Sequence, residues 1–100
     1  MATQDDIYSE RDEQAEAKAK ARRLLEMDDL KWLLRHPQGR RVITRILDQT
    51  GVYRSSFNHS GSQMAFNEGR RNTGLWLTDE MTTADQEGYL KLLREYQRNG

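Results

Sequence analysis

Apolar residues are sparse in the first quarter of the chain and are concentrated in short clusters after it. From about residue 4 to residue 27 the sequence consists mostly of Ala, Glu, Lys, Arg and Gln, which are strong helix formers. Before residue 24 its large apolar residues are Ile7 and Tyr8. A helix that is polar on nearly every side is marginally stable alone or is bound to a partner. We therefore expect a long polar N-terminal helix, with a frayed tail as the alternative.

The next cluster of apolar residues has a spacing close to that of a helical stripe. Trp32 lies at the edge of this stripe. The pair Asp28-Asp29 could cap a new helix, so residues 22–36 form either one bent helix or two joined helices. The stripe consists of Leu24, Leu25, Met27, Leu30, Leu33 and Leu34.

His36-Pro37 predicts a break, because the residue before proline avoids helical geometry and proline suits a first helical turn. The next helix is expected over residues 37–49, with Gly51 as a left-handed C-cap and Val52 beside it. One face of this helix carries apolar residues and the other carries arginines. The apolar positions are Val42, Ile43, Ile46 and Leu47, and the arginines are Arg40, Arg41 and Arg45.

Residues 53–62 have the composition of a loop, and two further helices are expected after it. Ser60 or Ser62 caps a helix over residues 63–77, in which Gly69 and Gly74 suggest close helix packing or an interface. Thr82 or Thr83 opens the last helix, with Asp85 and Glu87 near its positive end. Its apolar residues are Tyr89, Leu90, Leu92, Leu93 and Tyr96.

These elements predict an all-α fold, since the sequence has neither a strand pattern nor an internal repeat. We expect a small bundle of about four helices with the long N-terminal helix extending from it. Residues 1–30 form the extended, partner-binding helix, and residues 31–100 form the compact domain. Gly51 and Gly74 permit tight turns or contacts. The predicted core consists of Val42, Ile46, Leu47, Val52, Phe57, Phe66 and Leu77.

Charge is balanced overall but unevenly distributed. The 100 residues include 16 basic and 16 acidic side chains, which gives no global argument for nucleic acid or membrane. Residues 1–16 nevertheless carry a net charge of −5, and residues 35–71 carry +5. The alternative explanation for this asymmetry is that the charges belong to ordinary solvated helix faces. The chain has no cysteine, no signal peptide and no membrane-spanning run, so we expect synthesis in a host cytoplasm.

The sequence offers little for catalysis. His36 precedes a proline at a helix end and His59 lies in a polar loop, so a catalytic base is improbable at either position. The adjacent acids Asp5-Asp6 and Asp28-Asp29 point in different directions on a helix and suit caps better than acid–base pairs. No zinc spacing or phosphate-binding loop is present. We therefore expect no enzyme activity, no catalytic or metal site and no cofactor.

Two Gly-Arg-Arg triplets, at residues 39–41 and 69–71, are the most distinctive local feature. Arginine forks bind carboxylates of a neighbouring chain or phosphate, and arginine and tryptophan are enriched at interaction hot spots. The alternatives are intramolecular pairing, with Asp48, Glu68 or Asp79, and burial of the tryptophans in the core. The predicted partner-binding residues are Arg40, Arg41, Arg45, Arg54, Arg70, Arg71, Trp32 and Trp76. Arg54, Arg70 and Arg71 are also expected to hold the loop by bonds to backbone carbonyls or acids.

Three linked motifs resemble a family of small tailed-phage proteins typified by a structural protein of a Bordetella podophage. The first is Leu-Arg-His-Pro-Gln-Gly-Arg-Arg-Val-Ile-Thr-Arg-Ile-Leu at residues 34–47, and the second is Gly-Val-Tyr-Arg-Ser-Ser-Phe at 51–57. The third is Phe-Asn-Glu-Gly-Arg-Arg-Asn-Thr-Gly-Leu at 66–75. The resemblance covers residues 32–77, with a weaker tail to 96, and implies a virion-associated protein without catalytic residues.

The sequence and this resemblance lead to one main functional hypothesis. The chain is expected to be a structural protein of the virion, at the portal, the head-to-tail connector or the tail, that binds other virion proteins. A homo-oligomeric ring, in which the acidic start meets the arginine-rich middle of the next copy, suits this setting. The alternatives are an internal head protein ejected with the DNA and a nucleic-acid-binding protein that uses helix 37–49, for example a helix-turn-helix regulator.

Overall fold

A computed structural model describes residues 3–99 of the chain, and at residues 4, 5 and 99 it describes the backbone alone. The described residues form four helices and no strand: α1 (Gln4–Arg35), α2 (Pro37–Thr50), α3 (Gly61–Ala84) and α4 (Gln86–Asn99). The predicted all-α fold is thus confirmed. The molecule measures 65 × 38 × 16 Å because one helix is much longer than the bundle is wide. None of these helices combines the length and the apolar character that crossing a bilayer requires.

Helix α1 is continuous across the point where the sequence allowed a bend or a second helix start. Thr3 caps it through a reciprocal pair of bonds with Asp6, and the helix runs for 32 residues, about 48 Å. Asp28 and Asp29 lie within it as exposed side chains, because nothing in the surrounding sequence interrupts the helix. The described side chains of residues 3–22 are all exposed, and α1 reaches the bundle at Arg23. We call residues 3–22 the arm. The division at residue 30 stays a prediction.

The turns between helices follow the local chemistry closely. His36 has the extended backbone that proline demands of its predecessor, and Pro37 begins α2. Gly51 ends α2 in the left-handed conformation with φ 67°, as predicted. Ser60 caps α3 by accepting a hydrogen bond from the Gln63 amide at 3.3 Å.

Helix α3 extends seven residues beyond its predicted end at residue 77, and the prediction that Thr82 or Thr83 opens the last helix was wrong. Both threonine hydroxyls bond back to carbonyls four residues earlier, Thr82 at 2.9 Å and Thr83 at 3.0 Å, which keeps them inside α3. Asp85 instead separates α3 from α4. Its carboxylate accepts the Gly88 amide at 3.2 Å and so caps α4.

The core is smaller than predicted and is composed of different residues. Leu47 and Val52 are buried and Leu77 packs partly against them, as predicted. Val42, Ile46, Phe57 and Phe66 are half exposed or more, so their assignment to the core was wrong. On α2 the buried positions are Gly39, Arg40, Ile43 and Leu47, and this face turns Val42 and Ile46 toward solvent. The remaining buried apolar side chains are Leu34, Met81 and Leu92.

Gly74 lets α3 pack against the end of α2. A Cβ at this position would lie 2.3 Å from Thr50 Oγ1 and 2.7 Å from Val52 Cβ. The close helix approach expected at Gly74 is therefore confirmed. Gly69, the other glycine within α3, has open space at its Cβ position.

Candidate functional site

Arg40 lies inside the bundle, which corrects its prediction as an outward-facing partner contact. The side chain is 4% exposed and its Nη2 lies 2.8 Å from Glu95 Oε1. Its Nε donates to both oxygens of Glu95, and its Nη1 donates to the Leu34 carbonyl at 2.8 Å. These bonds lower the pKa of Glu95, and nearby Lys91 and Arg98 contribute. Arg40 thus joins the end of α1 to α2 and α4.

Arg54 and Arg70 converge on the C-terminal end of α2, where backbone carbonyls lack helical partners. Arg54 donates to the Asp48 carbonyl and Arg70 donates to the Gln49 carbonyl. Cations are also favoured at this end of a helix. The predicted bonds to backbone carbonyls are therefore present, but they hold the end of α2 rather than the loop.

Ser56 connects the loop at residues 51–60 to α3. Its hydroxyl donates to Glu68, and its carbonyl accepts from Asn67 at 3.4 Å. Arg71 pairs with the same carboxylate at 3.3 Å, which is one of the intramolecular pairs considered from sequence. The hydrogen bond from Ser56, together with Arg71, lowers the pKa of Glu68. Much of the second and third motifs therefore shapes this corner of the bundle.

Arg41 and Arg45 are exposed and lie along a groove between α2 and α4. The groove has a volume of about 470 Å³, and its walls include Pro37, Thr44 and Tyr96. Within the part of the chain that the structure describes, neither arginine forms an ion pair or hydrogen bond. These two arginines are therefore available to an acidic partner.

Trp32 lies on the outer side of α1 and is 60% exposed. The inner side of this helix carries Leu30 and Leu34, which pack in the core. The Trp32 ring stacks on His36 with centroids 4.3 Å apart, and His36 Nδ1 lies 2.6 Å from the Trp32 carbonyl oxygen. Leu25, seven residues earlier, is also exposed, so one face of α1 presents two large apolar groups to solvent.

Trp76 occupies the outer side of α3 and is 59% exposed. Glu80, on the same helix, pairs with Arg23 of α1. Arg23 Nη1 donates to Glu80 Oε1 at 2.9 Å, and Arg23 Nη2 donates to Glu80 Oε2 at 2.5 Å. Hydrogen bonds from Arg23 and Trp76 lower the pKa of Glu80. This two-pronged ion pair attaches the base of the arm to α3, so the arm leaves the bundle at a defined point.

The two histidines are separated, and the described residues contain no candidate metal centre. His59 packs edge-on against Phe57 in the loop, far along the chain from His36. Among the described residues, no group of three or more His, Asp or Glu side chains is arranged to hold a metal ion.

Sequence reasoning missed two features of these surfaces. The first is the partner of Arg40, Glu95. It is the one acidic residue in a basic stretch of α4 that also holds Lys91, Arg94 and Arg98. An acidic residue isolated among basic ones is a usable signal that it pairs with a buried arginine. The groove itself had no sequence signal, because it depends on the crossing of α2 and α4.

Comparisons with known proteins relate the bundle, but not the arm, to a phage family. Searches of the curated proteins and of the solved structures gave no significant match. The model of a family described as Bbp19-like phage protein matches residues 30–94. This region begins where α1 packs into the core and ends within α4. Because the match covers most of the chain, the chain belongs to the family of Bbp19-like phage proteins.

Proposed function

We propose that this phage protein is a non-enzymatic structural component of the virion that acts by binding other virion proteins. Its proposed setting is the portal, the head-to-tail connector or the tail. The family membership supports a phage role, and the exposed apolar surface supports a role in binding.

The observation that carries this proposal is the imbalance between buried and exposed apolar side chains. Among the described residues, six hydrophobic side chains are buried, whereas fourteen large ones are exposed. Single exposed apolar residues are ordinary on protein surfaces. Here, however, they recur on shared helix faces, as with Leu25 and Trp32 on α1 and with Val42 and Ile46 on α2. An excess of large apolar side chains on the surface is typical of proteins that bind partners.

The polar side chains support the non-enzymatic part of the proposal. The carboxylates with lowered pKa values serve as structural partners: Glu95 for Arg40, Glu80 for Arg23, Glu68 for Ser56 and Asp6 for Thr3. Catalysis needs a base, a nucleophile or an electrophile converging on one cavity. The groove between α2 and α4 instead pairs its carboxylates with groups of the fold.

Quantitative mass spectrometry of purified particles tests the proposal. We expect the chain at a fixed copy number in full particles and in particles emptied of DNA. Its loss together with the DNA would favour an internal, ejected protein, and its absence from full particles would overturn the virion assignment.

Substitutions at exposed aromatic residues test whether these surfaces bind the other virion proteins. Trp32→Ala and Trp76→Ala remove exposed rings and should reduce incorporation into particles, whereas the matched control Gln97→Ala, at an exposed position of α4, should not. Equal incorporation of all three variants would show that these aromatic faces do not contribute to binding.

A further inference from the structure

The groove between α2 and α4 has the shape and chemistry of a site for an acidic helix. Its floor and walls include the Pro37 ring, Thr44 and the Tyr96 ring, and its volume is about 470 Å³. Arg41 and Arg45 lie one helical turn apart along its α2 side, so their charges share a face of α2. An apolar anchor flanked by carboxylates would contact the rings and both guanidinium groups at once.

The acidic groups at the groove are already engaged within the fold. Glu95 accepts the Arg40 bonds, and Asp48 Oδ1 accepts the Tyr96 hydroxyl at 3.1 Å. The same bond raises the pKa of Tyr96. Arg41 and Arg45, in contrast, have no such partner in the described part of the chain. With Glu95 neutralised by Arg40, two arginines face one remaining carboxylate, Asp48, so the lining of the groove keeps a net positive charge.

The tip of the arm supplies the complementary chemistry. Between residues 6 and 16 the exposed charged side chains comprise Arg11 and five acids: Asp6, Glu10, Asp12, Glu13 and Glu16. Ile7 lies among them, half-exposed. Glu10 and Glu13 are three residues apart, so they share a face of α1 with a separation close to that of the two groove arginines.

Ile7, the apolar residue of the tip, cannot reach the groove of its own chain. Ile7 and Arg35 lie 28 residues apart on one continuous helix, a distance of about 42 Å. The groove follows α2, which starts just after Arg35 and is only about 21 Å long. About 20 Å therefore remains between Ile7 and the far end of α2 even if α2 runs straight back along α1.

We propose that the groove between α2 and α4 binds the acidic tip of α1 from a second copy of this chain. This inference deepens the proposed function, because it names a second copy as one of the binding partners. Tip and groove are different surfaces, so a bound pair of copies keeps one groove and one tip free for further contacts. Contacts of this head-to-tail kind close into a ring when the rotation between copies permits.

Sedimentation equilibrium of the purified full chain tests the contact. We expect self-association at low salt that weakens as ionic strength rises from about 0.05 M to about 0.5 M. The groove variant Arg41→Glu/Arg45→Glu and the tip variant Glu10→Arg/Glu13→Arg should each weaken association at least tenfold. Mixing the two variants should restore assembly between unlike chains, because the charges are exchanged.

Asp28→Arg/Asp29→Arg is the matched control, since it reverses two exposed acids of the same helix outside the tip. It should associate like the parent, and circular dichroism should show the same helix content in every variant. A parent chain that stays monomeric, or a mixture of variants that does not assemble, overturns the proposal. If such a monomeric chain is still found in purified particles, the proposed virion function stands without the contact between copies.

Discussion

The guanidinium of Arg40 and the carboxylate of Glu95 join α2 to α4 through contacts of 2.8 to 3.0 Å, and Arg40 is almost entirely buried. The same guanidinium bonds the Leu34 carbonyl near the end of α1. A buried charge is costly unless it is paired and hydrogen-bonded. This arrangement satisfies that condition and joins three helices, and Glu95 also lines the groove.

Removal of Glu95 should destabilise the bundle. Glu95→Ala leaves the buried Arg40 guanidinium without its carboxylate, and we expect a loss of about 2–3 kcal/mol in the free energy of unfolding. Gln97→Ala changes an exposed position of the same helix and should cost less than about 0.5 kcal/mol. Urea unfolding of both variants provides the measurement. Equal midpoints would show that the ion pair contributes little.

The two glycines inside α3 should respond in opposite directions to alanine. Gly74→Ala places a methyl group against Thr50 and Val52 and should destabilise the protein by about 1–3 kcal/mol. Gly69→Ala has open space and should stabilise it by about 0.5–1 kcal/mol, because alanine favours helix. Thermal unfolding of the pair measures the difference. A stabilising Gly74→Ala would contradict the close packing of α3 on α2.

Stability should decline in acid. Hydrogen bonds from Arg23 lower the pKa of Glu80, and those from Arg40 lower the pKa of Glu95, each from an ordinary value of 4.5. A carboxyl with a lower pKa in the folded state stabilises the protein above pH 4.5 and loses that effect as pH falls through the folded pKa. Glu80→Gln and Glu95→Gln should each flatten the fall in unfolding free energy between pH 6 and pH 3, about where carboxyls titrate. A parent curve that is flat over this range would contradict the prediction.

The fluorescence of both tryptophans should show that their rings are exposed to solvent. Because Trp32 and Trp76 are about 60% exposed, their fluorescence should resemble that of tryptophan in water and should be quenched readily by acrylamide. Single-tryptophan variants, Trp32→Phe and Trp76→Phe, separate the two signals. Strong protection of either ring in the isolated, monomeric chain would place it in a core and remove it from the proposed interaction surface.

Local sequence signals predicted the helices and several of their ends correctly. Pro37, Gly51 and Ser60 act through their own backbone or side-chain chemistry, so each marks a boundary without reference to the rest of the fold. The end of α3 was harder to predict, because a threonine followed by acids fits a cap as well as a helix interior. Only the bonds of Thr82 and Thr83 to preceding carbonyls distinguish the two.

The burial pattern of α2 could not be predicted from its periodicity alone. Apolar spacing placed all four residues Val42, Ile43, Ile46 and Leu47 on one face. The packing of three neighbouring helices instead buries Ile43 and Leu47 together with Arg40, and it leaves Val42 and Ile46 exposed. A charged residue enters a core only when its partner is present, and Glu95 lies 55 residues away in sequence. Arg41 and Arg45, predicted as partner contacts, remain exposed in the structure, where their binding role stays a prediction.

Cross-linking mass spectrometry of intact particles tests the central claim most directly. The four lysines, Lys18, Lys20, Lys31 and Lys91, place reactive amines on the arm, on the packed part of α1 and on α4. We predict cross-links from the arm lysines to another copy of this chain or to a second virion protein, at a constant yield before and after DNA release. Particles that contain the chain but give cross-links only within single copies of it would contradict the claim that it works by contact with neighbouring proteins.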